Sequence, residues 1–276
     1  MFMLSSRLAV AGVILLSGCF SAAAANATSI ITFVSDRGTD SGNCEEIHPC
    51  RSFQFAADQT SPFGEVKALD PANYGAVTIT KSISITGVEG ASISPSAKPN
   101  AITIDAGPND QINLTNLTLD GMSGKAQRGI FINSSSRLRV IHCVVRNFKF
   151  DGIKFQNGIT ARFLIADTVV SDNLTGINAE GTGTLDNVSM NKNSGVGLVV
   201  DGNVTSVESE ANGNGSDGFF IIDGSLKLVH STATGNGCGI NIFGGKTLSV
   251  GNNFINGNSI TDVCPLGTKL SEVETQ

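Results

Sequence analysis

The sequence contains no tryptophan, one tyrosine (Tyr74) and few charged residues, which make up 15% of its 276 positions. Trp and Tyr are the usual stacking platforms for sugar rings, so their scarcity argues against a sugar-cleaving cleft of the common kind. Proline is absent from the long span between Pro108 and Pro265. Proline cannot donate a backbone hydrogen bond, and a span without it favours uninterrupted strand pairing.

Positive charge is also in the minority. The chain has 18 Lys and Arg against 24 Asp and Glu, a formal net charge of −6. Nucleic acids and anionic membranes select basic surfaces, so this balance argues against both as partners. The three histidines and six cysteines show no zinc-binding spacing. Thirty-two glycines and a hydrophobic content of 40% indicate many tight turns, short strands and an ample core.

A cassette that opens with glycine recurs through the proline-free span. Its copies are RGIFIN (128–133), DGIKFQ (151–156), TGINAE (175–180), VGLVVD (196–201), DGFFIID (217–223) and CGINIF (238–243). After each glycine, apolar and other residues alternate, which is typical of a half-buried β-strand. The glycines recur every 21 to 24 residues. A fixed period of this length predicts stacked structural repeats.

A second strand is predicted in each repeat, between the cassettes. These segments are 138–148, 161–173, 184–193, 204–214, 226–236 and 247–258. The last five end in asparagine, at positions 173, 193, 214, 236 and 258. Asparagine tolerates left-handed backbone, so it suits a tight bend that is repeated once per coil. Asparagines stacked at strand spacing can also bond one another as a ladder.

The first 27 residues are typical of a secretory signal peptide. Arg7 precedes an apolar run, Leu8 to Leu16, that is too short to span a membrane. Small residues from Ser21 to Ala27 offer cleavage sites. Leu16-Ser17-Gly18-Cys19 also resembles a bacterial lipobox, which would leave Cys19 acylated and the protein anchored by lipid. Both routes predict export to the periplasm, the cell surface or the medium.

The remaining five cysteines suit an oxidising compartment. Cys44 and Cys50 bracket a short polar loop, and Cys238 and Cys264 lie in the last coil and the tail. The sequence therefore predicts two disulfides, Cys44–Cys50 and Cys238–Cys264. Cys143 is expected to be a small core residue at an inward strand position.

The order of the segments predicts a single solenoid with a cover at one end. Residues 28–63 contain a strand, the disulfide loop and a short amphipathic helix at 51–59, with Phe53, Ala56 and Ala57 on one face. A solenoid exposes unpaired strand edges at its ends, so this helix is expected to cap the first coil. The β-helix itself is predicted over 64–264, followed by a C-terminal tail at 265–276.

These features resemble the right-handed parallel β-helix of the pectin-lyase-like superfamily, most closely its exported bacterial repeat proteins. The resemblance covers roughly residues 30–264. It rests on the TFVS strand, the CEEIHPCRSF segment, the LDPANYGAVTITKSISI coil and the repeated Gly-Ile and Asn positions. It implies an all-β, right-handed parallel β-helix with a short N-terminal capping helix. This fold hosts lyases, hydrolases, epimerases and adhesins, so the resemblance leaves the activity open.

Outward positions of the stacked cassettes predict two columns of side chains. The first is Phe131, Lys154, Asn178, Val199, Phe220 and Asn241, and the second is Asn133, Gln156, Glu180, Asp201, Asp223 and Phe243. Glu180 and Asp201 fall on neighbouring coils, about 5 Å apart by strand spacing. Two carboxylates at that distance suit glycosidic-bond cleavage or a shared Ca²⁺. Lys154, one coil earlier, could neutralise a developing enolate.

The same residues have an ordinary structural interpretation, since outward positions of a solenoid are polar in any case. The paired aspartates and Gly-His-Gly motif of polygalacturonases have no clear counterpart in this sequence, and neither does the arginine motif of pectate lyases. Arg146 and Arg162 stand isolated in the sequence. His142 and His230 are expected to be structural. No residue is therefore assigned a catalytic role beyond the candidates Lys154, Glu180 and Asp201.

Two functional hypotheses remain. The first is an exported non-catalytic β-helix protein, without a cofactor, that binds polysaccharide or a surface protein. The second is a polysaccharide lyase or epimerase acting on uronate-rich glycan, with Ca²⁺ as its expected cofactor. Enzymes of this shape wall their acids with longer loops, whereas the insertions here are two or three residues per coil. That difference favours the first hypothesis.

Overall fold

The computed structural model describes residues 29–134, 136–265 and 270–272. The predicted signal peptide, the lipobox at Cys19 and most of the predicted tail lie outside these residues. Within the described ranges, no helix is long and apolar enough to cross a membrane.

The described residues form one helix and 22 strands. In chain order they are β1 (Ser29–Val34), α1 (Phe53–Gln59), β2 (Thr60–Ala68), β3 (Val77–Ile79), β4 (Ile83–Thr86), β5 (Ser92–Ile93), β6 (Asn100–Ile104), β7 (Gln111–Thr115), β8 (Thr118–Asp120), β9 (Arg128–Ile132), β10 (Arg137–Ile141), β11 (Val144–Arg146), β12 (Asp151–Phe155), β13 (Arg162–Ser171), β14 (Thr175–Ser189), β15 (Leu198–Val207), β16 (Asp217–Val229), β17 (Thr232–Ala233), β18 (Cys238–Ile242), β19 (Lys246–Val250), β20 (Phe254–Ile255), β21 (Thr261–Cys264) and β22 (Ser271–Glu272).

Each strand pairs in parallel with the strand one turn of the chain later. β9 pairs with β12, β12 with β14, β14 with β15, and β15 with β16. The chain therefore winds as a right-handed parallel solenoid of about nine turns, which confirms the predicted fold class. Parallel pairing runs from β2 to β22, which pairs with β19, so the stack extends beyond residue 264.

The alternating apolar residues of the cassettes form one interior file. Ile177 pairs with Leu198, and Leu198 pairs with Phe219 on the next coil. The six equivalent side chains are all fully buried: Ile130, Ile153, Ile177, Leu198, Phe219 and Ile240. Burying each contributes about 1.5–3 kcal/mol, so the file is a main source of stability. This column was predicted from the sequence and is confirmed.

The second predicted strand of each coil is bent or divided, which corrects the simple two-strand interpretation. Segment 138–148 forms β10 and β11 on either side of His142, whose φ is +54°. Left-handed residues recur at this corner in successive coils: Asn116, His142, Asp167, Asn187, Glu208, His230 and Asn252. Apolar and polar residues alternate on both sides of the corner, so the sequence pattern does not show where the chain bends. Cys143 follows this corner between strands and is buried, and burial raises the pKa of its thiol to about 11.

The predicted asparagine ladder is present at a second corner. The Oδ1 atom of Asn214 accepts hydrogen bonds from the backbone N–H of Asn193 (2.9 Å) and from its Nδ2 (3.1 Å). Asn214 in turn donates from Nδ2 to Oδ1 of Asn236 at 3.0 Å. The left-handed residue is the one before each asparagine, namely Asp172, Lys192, Gly213, Gly235 and Gly257. The asparagines therefore stabilise the corner through their side chains and not through their own φ angles.

The recurring cassette glycine makes room for this ladder. A Cβ atom added to Gly218 would lie 2.9 Å from Nδ2 of Asn236 and 2.7 Å from the carbonyl oxygen of Gly239. Gly152, Gly176, Gly197 and Gly239 meet the same two kinds of obstacle. Glycine is needed here because two coils approach closely, not because of an unusual φ.

The N-terminal end is covered as predicted. In α1, the side chain of Ser52 accepts a hydrogen bond from the N–H of Phe55, and the buried Phe53 ring lies 4.8 Å from that of Tyr74. The helix begins two residues later than predicted because Asp40 binds the backbone N–H groups of Arg51 and Ser52. Both predicted disulfides, Cys44–Cys50 and Cys238–Cys264, are present.

Candidate functional site

The predicted carboxylate column exists. Glu180 pairs in register with Asp201, and Asp201 pairs with Asp223 on the next coil. The register shifts by one residue between Val200 and Asp201, so that Ile222 is the extra residue of β16. The bulge restores the alignment that one inserted residue would otherwise destroy. Three acidic side chains therefore lie on three neighbouring coils.

A glycine corner follows these acids and shapes the surface beside them. Gly181 and Gly202 have positive φ angles, and a Cβ on Gly202 would lie 2.2 Å from the carbonyl oxygen of Gly181. The chain therefore turns sharply from one face of the solenoid to the next directly after Glu180 and Asp201. The carboxylate of Glu180 accepts a hydrogen bond from the backbone N–H of Gly158, one coil earlier. That bond fixes the side chain at the rim of the corner.

A groove of about 460 Å³ lies at this corner. Its polar lining includes Glu180, Asp201, Arg162, Thr182 and Asn203. Arg162 looks isolated in the sequence, yet β13 pairs with β14 so that Arg162 lies beside Thr182. The glycine corner after Glu180 is the sequence feature that could have predicted this position of Arg162. A corner brings residues at the end of one face next to residues at the start of the following face.

Lys154 lies near the carboxylates but does not line the groove. Its ammonium group donates a hydrogen bond to Oδ1 of Asn157 at 2.9 Å, and its side chain is half-buried. Burial lowers the pKa of Lys154, while the carboxylates of Asp151, Glu180 and Asp201 act in the opposite direction. The structure thus places Lys154 on the face that precedes the corner, within electrostatic reach of both acids.

A cluster of side chains around Arg128 occupies the neighbouring part of that face. Arg128 lies 3.1 Å from Asp151, and its guanidinium group packs over the rings of Phe131 (5.3 Å) and Phe150 (5.7 Å). Burial raises the pKa of Asp151, and the ion pair with Arg128 opposes that shift. Phe131, an outward residue of the first predicted column, is therefore already covered by a cation.

Further along the solenoid, the half-buried Phe220 and the exposed Phe243 have no cation over their rings among the described residues. Phe243 is 82% exposed, and its ring meets that of Phe220 edge-on, with centroids 6.5 Å apart. The histidines have polar neighbours: His142 lies 3.3 Å from Asp167, and His230 lies 3.4 Å from Asn252. These contacts fit the structural role that the sequence suggested for them.

The residues present do not fit a ready Ca²⁺ site. Calcium takes six to eight oxygen ligands, which several carboxylates usually supply together. Among the described residues, no group of three or more His, Cys, Asp or Glu side chains is close enough to hold a metal ion. One carboxylate of the column, Glu180, is also engaged by the N–H of Gly158. The groove instead offers fixed hydrogen-bond acceptors from its acids and donors from Arg162, Asn203 and Thr182.

Comparison with known families identifies the architecture. A family model for the "Right handed beta helix region" matches residues 100–259, more than half of the chain. The chain belongs to the right-handed β-helix family. None of the curated proteins is similar enough to match it.

Solved structures give the same right-handed β-helix. Pectate lyase Pel9A superposes with a TM-score of 0.62 at 15% identity, covering 83% of this chain and 71% of the lyase. The periplasmic alginate epimerase AlgG gives 0.46 at 11% identity, with 78% and 74% covered. The Azotobacter vinelandii mannuronan C-5 epimerase AlgE4 A-module gives 0.42 at 13%, with 72% and 82% covered. The superposition on the lyase shows a common fold, and at 15% identity it shows nothing beyond the fold, so the activity must be argued from the site.

Proposed function

We propose that this protein is an exported, non-catalytic β-helix protein that binds polysaccharide along its polar surface. The two disulfides support export, because such bonds persist in oxidising compartments. The β-helix fold is shared with lyases and epimerases, which is weak support for a carbohydrate ligand. The stronger support comes from the residues on the surface.

The arrangement of Glu180 and Asp201 carries it. The two acids lie in register on neighbouring coils, and the N–H of Gly158 holds Glu180 in place. Arg162, Thr182 and Asn203 complete a groove that is open to solvent along the solenoid. Fixed donors and acceptors at regular spacing suit the hydroxyl groups of a sugar chain, and an open groove admits the middle of a polymer.

A second candidate is the lyase or epimerase acting on uronate-rich glycan. Lys154 favours it, because it lies within electrostatic reach of both acids and its burial lowers its pKa, a direction that favours the neutral amine of a general base. In this alternative the neutral amine of Lys154 would take the proton from the sugar carbon beside the carboxylate, and the adjacent acids would orient the ring. A lyase would then break the glycosidic C–O bond, with water protonating the departing oxygen, whereas an epimerase would return a proton to the opposite face of the same carbon. No step in it is assigned to calcium, because the residues present do not fit a ready site.

Binding and turnover measured together separate the two candidates. Purified protein is titrated into polygalacturonate and into alginate, and the same mixtures are followed for ultraviolet absorbance of unsaturated products and for epimerisation by NMR. We expect saturable binding without turnover, weakened about tenfold by Arg162→Gln, because this change removes the charged donor of the groove that can bind the carboxylates of the polymer. Lys125→Gln, which removes one positive charge from an exposed position outside the groove, serves as control. Turnover that Lys154→Met abolishes would overturn the binding proposal in favour of the enzyme.

A further inference from the structure

The face of the solenoid that follows the glycine corner carries a concentration of positive charge. We call it the basic face and define it by seven stacked segments: 111–115, 137–141, 162–166, 182–186, 203–207, 225–229 and 246–250. They pair in parallel from β7 through β10, β13, β14, β15 and β16 to β19. Their charged residues are Arg137, Arg139, Arg162, Lys227, Lys246 and one acid, Asp186. A formal charge of +4 is thus collected on one face of a chain whose net charge is −6.

These five cations are exposed, and no ion pair or side-chain hydrogen bond neutralises them among the described residues. Other arginines differ: Arg51, Arg128 and Arg146 each pair with an aspartate. Arg137 and Arg162 are direct partners on adjacent strands, about 4.8 Å apart. Like charges so placed repel one another and destabilise a sheet.

Simple structural explanations do not account for the arginines. The next two coils place Thr182 and Asn203 in the same column, so a neutral side chain fits that position. Charged residues often protect the edge of a sheet from unwanted pairing. That could explain Lys246 near the end of the stack, but β10 and β13 have partners on both sides.

We infer that the basic face binds an anionic polysaccharide, with the carboxylate or sulfate groups of the polymer neutralising these cations. The inference deepens the proposed function by naming the ligand class, and it rests on that function. Between the arginines and the lysines, the outward side chains are mainly short and polar, such as Thr184, Thr205 and Ser225, which can bond sugar hydroxyls. The charged groups span five strand spacings from β10 to β19, about 24 Å. An extended polymer along the solenoid axis contacts all of them.

The composition of the face favours a glycan over a nucleic acid. Proteins that bind single strands stack the bases on aromatic side chains. The outward positions of the seven segments contain no Phe, Tyr or Trp. Phe243, which is exposed, and the half-buried Phe220 belong to the other face.

The test compares two charge-matched double variants of the exported protein. Arg137→Gln with Arg139→Gln changes the basic face but leaves the groove intact. Lys98→Gln with Lys125→Gln removes the same charge from exposed positions elsewhere. We expect the first pair to weaken binding to polygalacturonate about fivefold, since exposed charge contacts contribute modestly, and the second pair to leave it unchanged. Binding should also weaken between about 50 and 300 mM NaCl because salt screens exposed charges.

Several results would overturn the inference, and they are distinguishable. Equal losses in both pairs would mean that only net charge matters. Unchanged binding in the arginine pair would refute the basic face while leaving the proposed polysaccharide binding intact. Binding of single-stranded poly(dT) as tight as that of polygalacturonate would identify a general polyanion surface. No binding of any polysaccharide by the unaltered protein would remove the inference together with the proposed function. Thermal melting controls for folding, and the arginine pair should melt no lower than the parent because it relieves repulsion.

Discussion

At the scale of single residues, the buried asparagines show how polar groups stabilise a solenoid corner. Asn173, Asn193 and Asn214 each use their side-chain oxygen or nitrogen to satisfy groups on the neighbouring coil. The last step ends on Asp262, whose carboxylate accepts from Asn258. An unsatisfied buried donor costs far more than a satisfied one contributes, so every member of the ladder depends on its neighbours.

The ladder makes a direct prediction for Asn214→Ala. The change leaves the buried backbone N–H of Asn193 without its acceptor, and the Nδ2 group of Asn193 keeps only the carbonyl oxygen of Val170. We expect the free energy of unfolding to fall by about 2–4 kcal/mol. Asn203→Ala loses one exposed hydrogen bond, from the Ser225 hydroxyl, and should change it by less than about 1 kcal/mol. Urea denaturation of the two variants measures the difference, and equal small losses would show that the ladder is not a stabilising network.

Much of this level was predictable. Position and spacing of the asparagines and of the cassette glycines were plain in the sequence, because each has a side chain suited to one local task. The sequence did not reveal that the asparagine column and the glycine column depend on each other. Gly218 leaves room for the amide of Asn236, and such a contact between coils has no local trace in the sequence.

At the scale of elements, successive strands are joined by corners that carry their own hydrogen bonds. Asp110, just before β7, accepts from the backbone N–H and the hydroxyl of Ser82 (3.0 and 2.6 Å) and from the N–H of Gly107 (2.7 Å). These bonds tie the turn before β7 to the coil below. The hydrogen bond from the Ser82 hydroxyl is the main cause that lowers the pKa of Asp110.

This corner should make stability depend on pH. A carboxyl group whose pKa is lowered by folding stabilises the protein above its unfolded value, near 3.9, and loses that contribution as pH falls through the folded value. Asp110→Asn keeps an oxygen for Ser82 but cannot accept from Gly107. We expect a loss of about 1 kcal/mol at pH 6 that shrinks as the pH falls below about 3.9 and the carboxyl group of the parent protein becomes protonated. Asp186→Asn, an exposed acid, should show no such trend, and a pH-independent loss in Asp110→Asn would contradict the explanation.

The elements differ in how well the sequence predicted them. Alternation located nearly every strand, whereas the corners at His142 and its equivalents were missed. A left-handed residue can be Asn, Asp, His or Glu, as this column shows, so residue type alone does not mark the corner. The position of the corner is set by the strand that pairs with this segment on the neighbouring coil.

At the scale of the whole molecule, each coil contacts chiefly its two neighbours. Stability in such a stack is the sum of each coil and its interfaces, so damage should remain local. Phe219 lies in the middle of the interior file and is fully buried, with Leu198 and Ile240 as register partners. It is a suitable place to create a cavity.

Phe219→Ala should remove about 3–5 kcal/mol from the coils that contact it. We expect amide hydrogen exchange to accelerate in β15, β16 and β18, while β4 and β7 keep their protection. Phe243→Ala, at an exposed position, should leave every coil unchanged. Equal acceleration over all coils would show instead that the solenoid unfolds as one cooperative unit.

The sequence by itself determined the solenoid, its interior file, its cap and its two disulfides. Each of these depends on a pattern repeated at a constant interval, and a parallel stack converts constant intervals into columns. Only the tertiary structure decided that Arg162 lines the same groove as Glu180 and Asp201, that Arg128 covers Phe131, and that cations without a charged partner collect on one face. Those neighbours come from different faces or coils and meet at corners. The angle of a corner depends on packing between coils, a quantity that no single repeat contains.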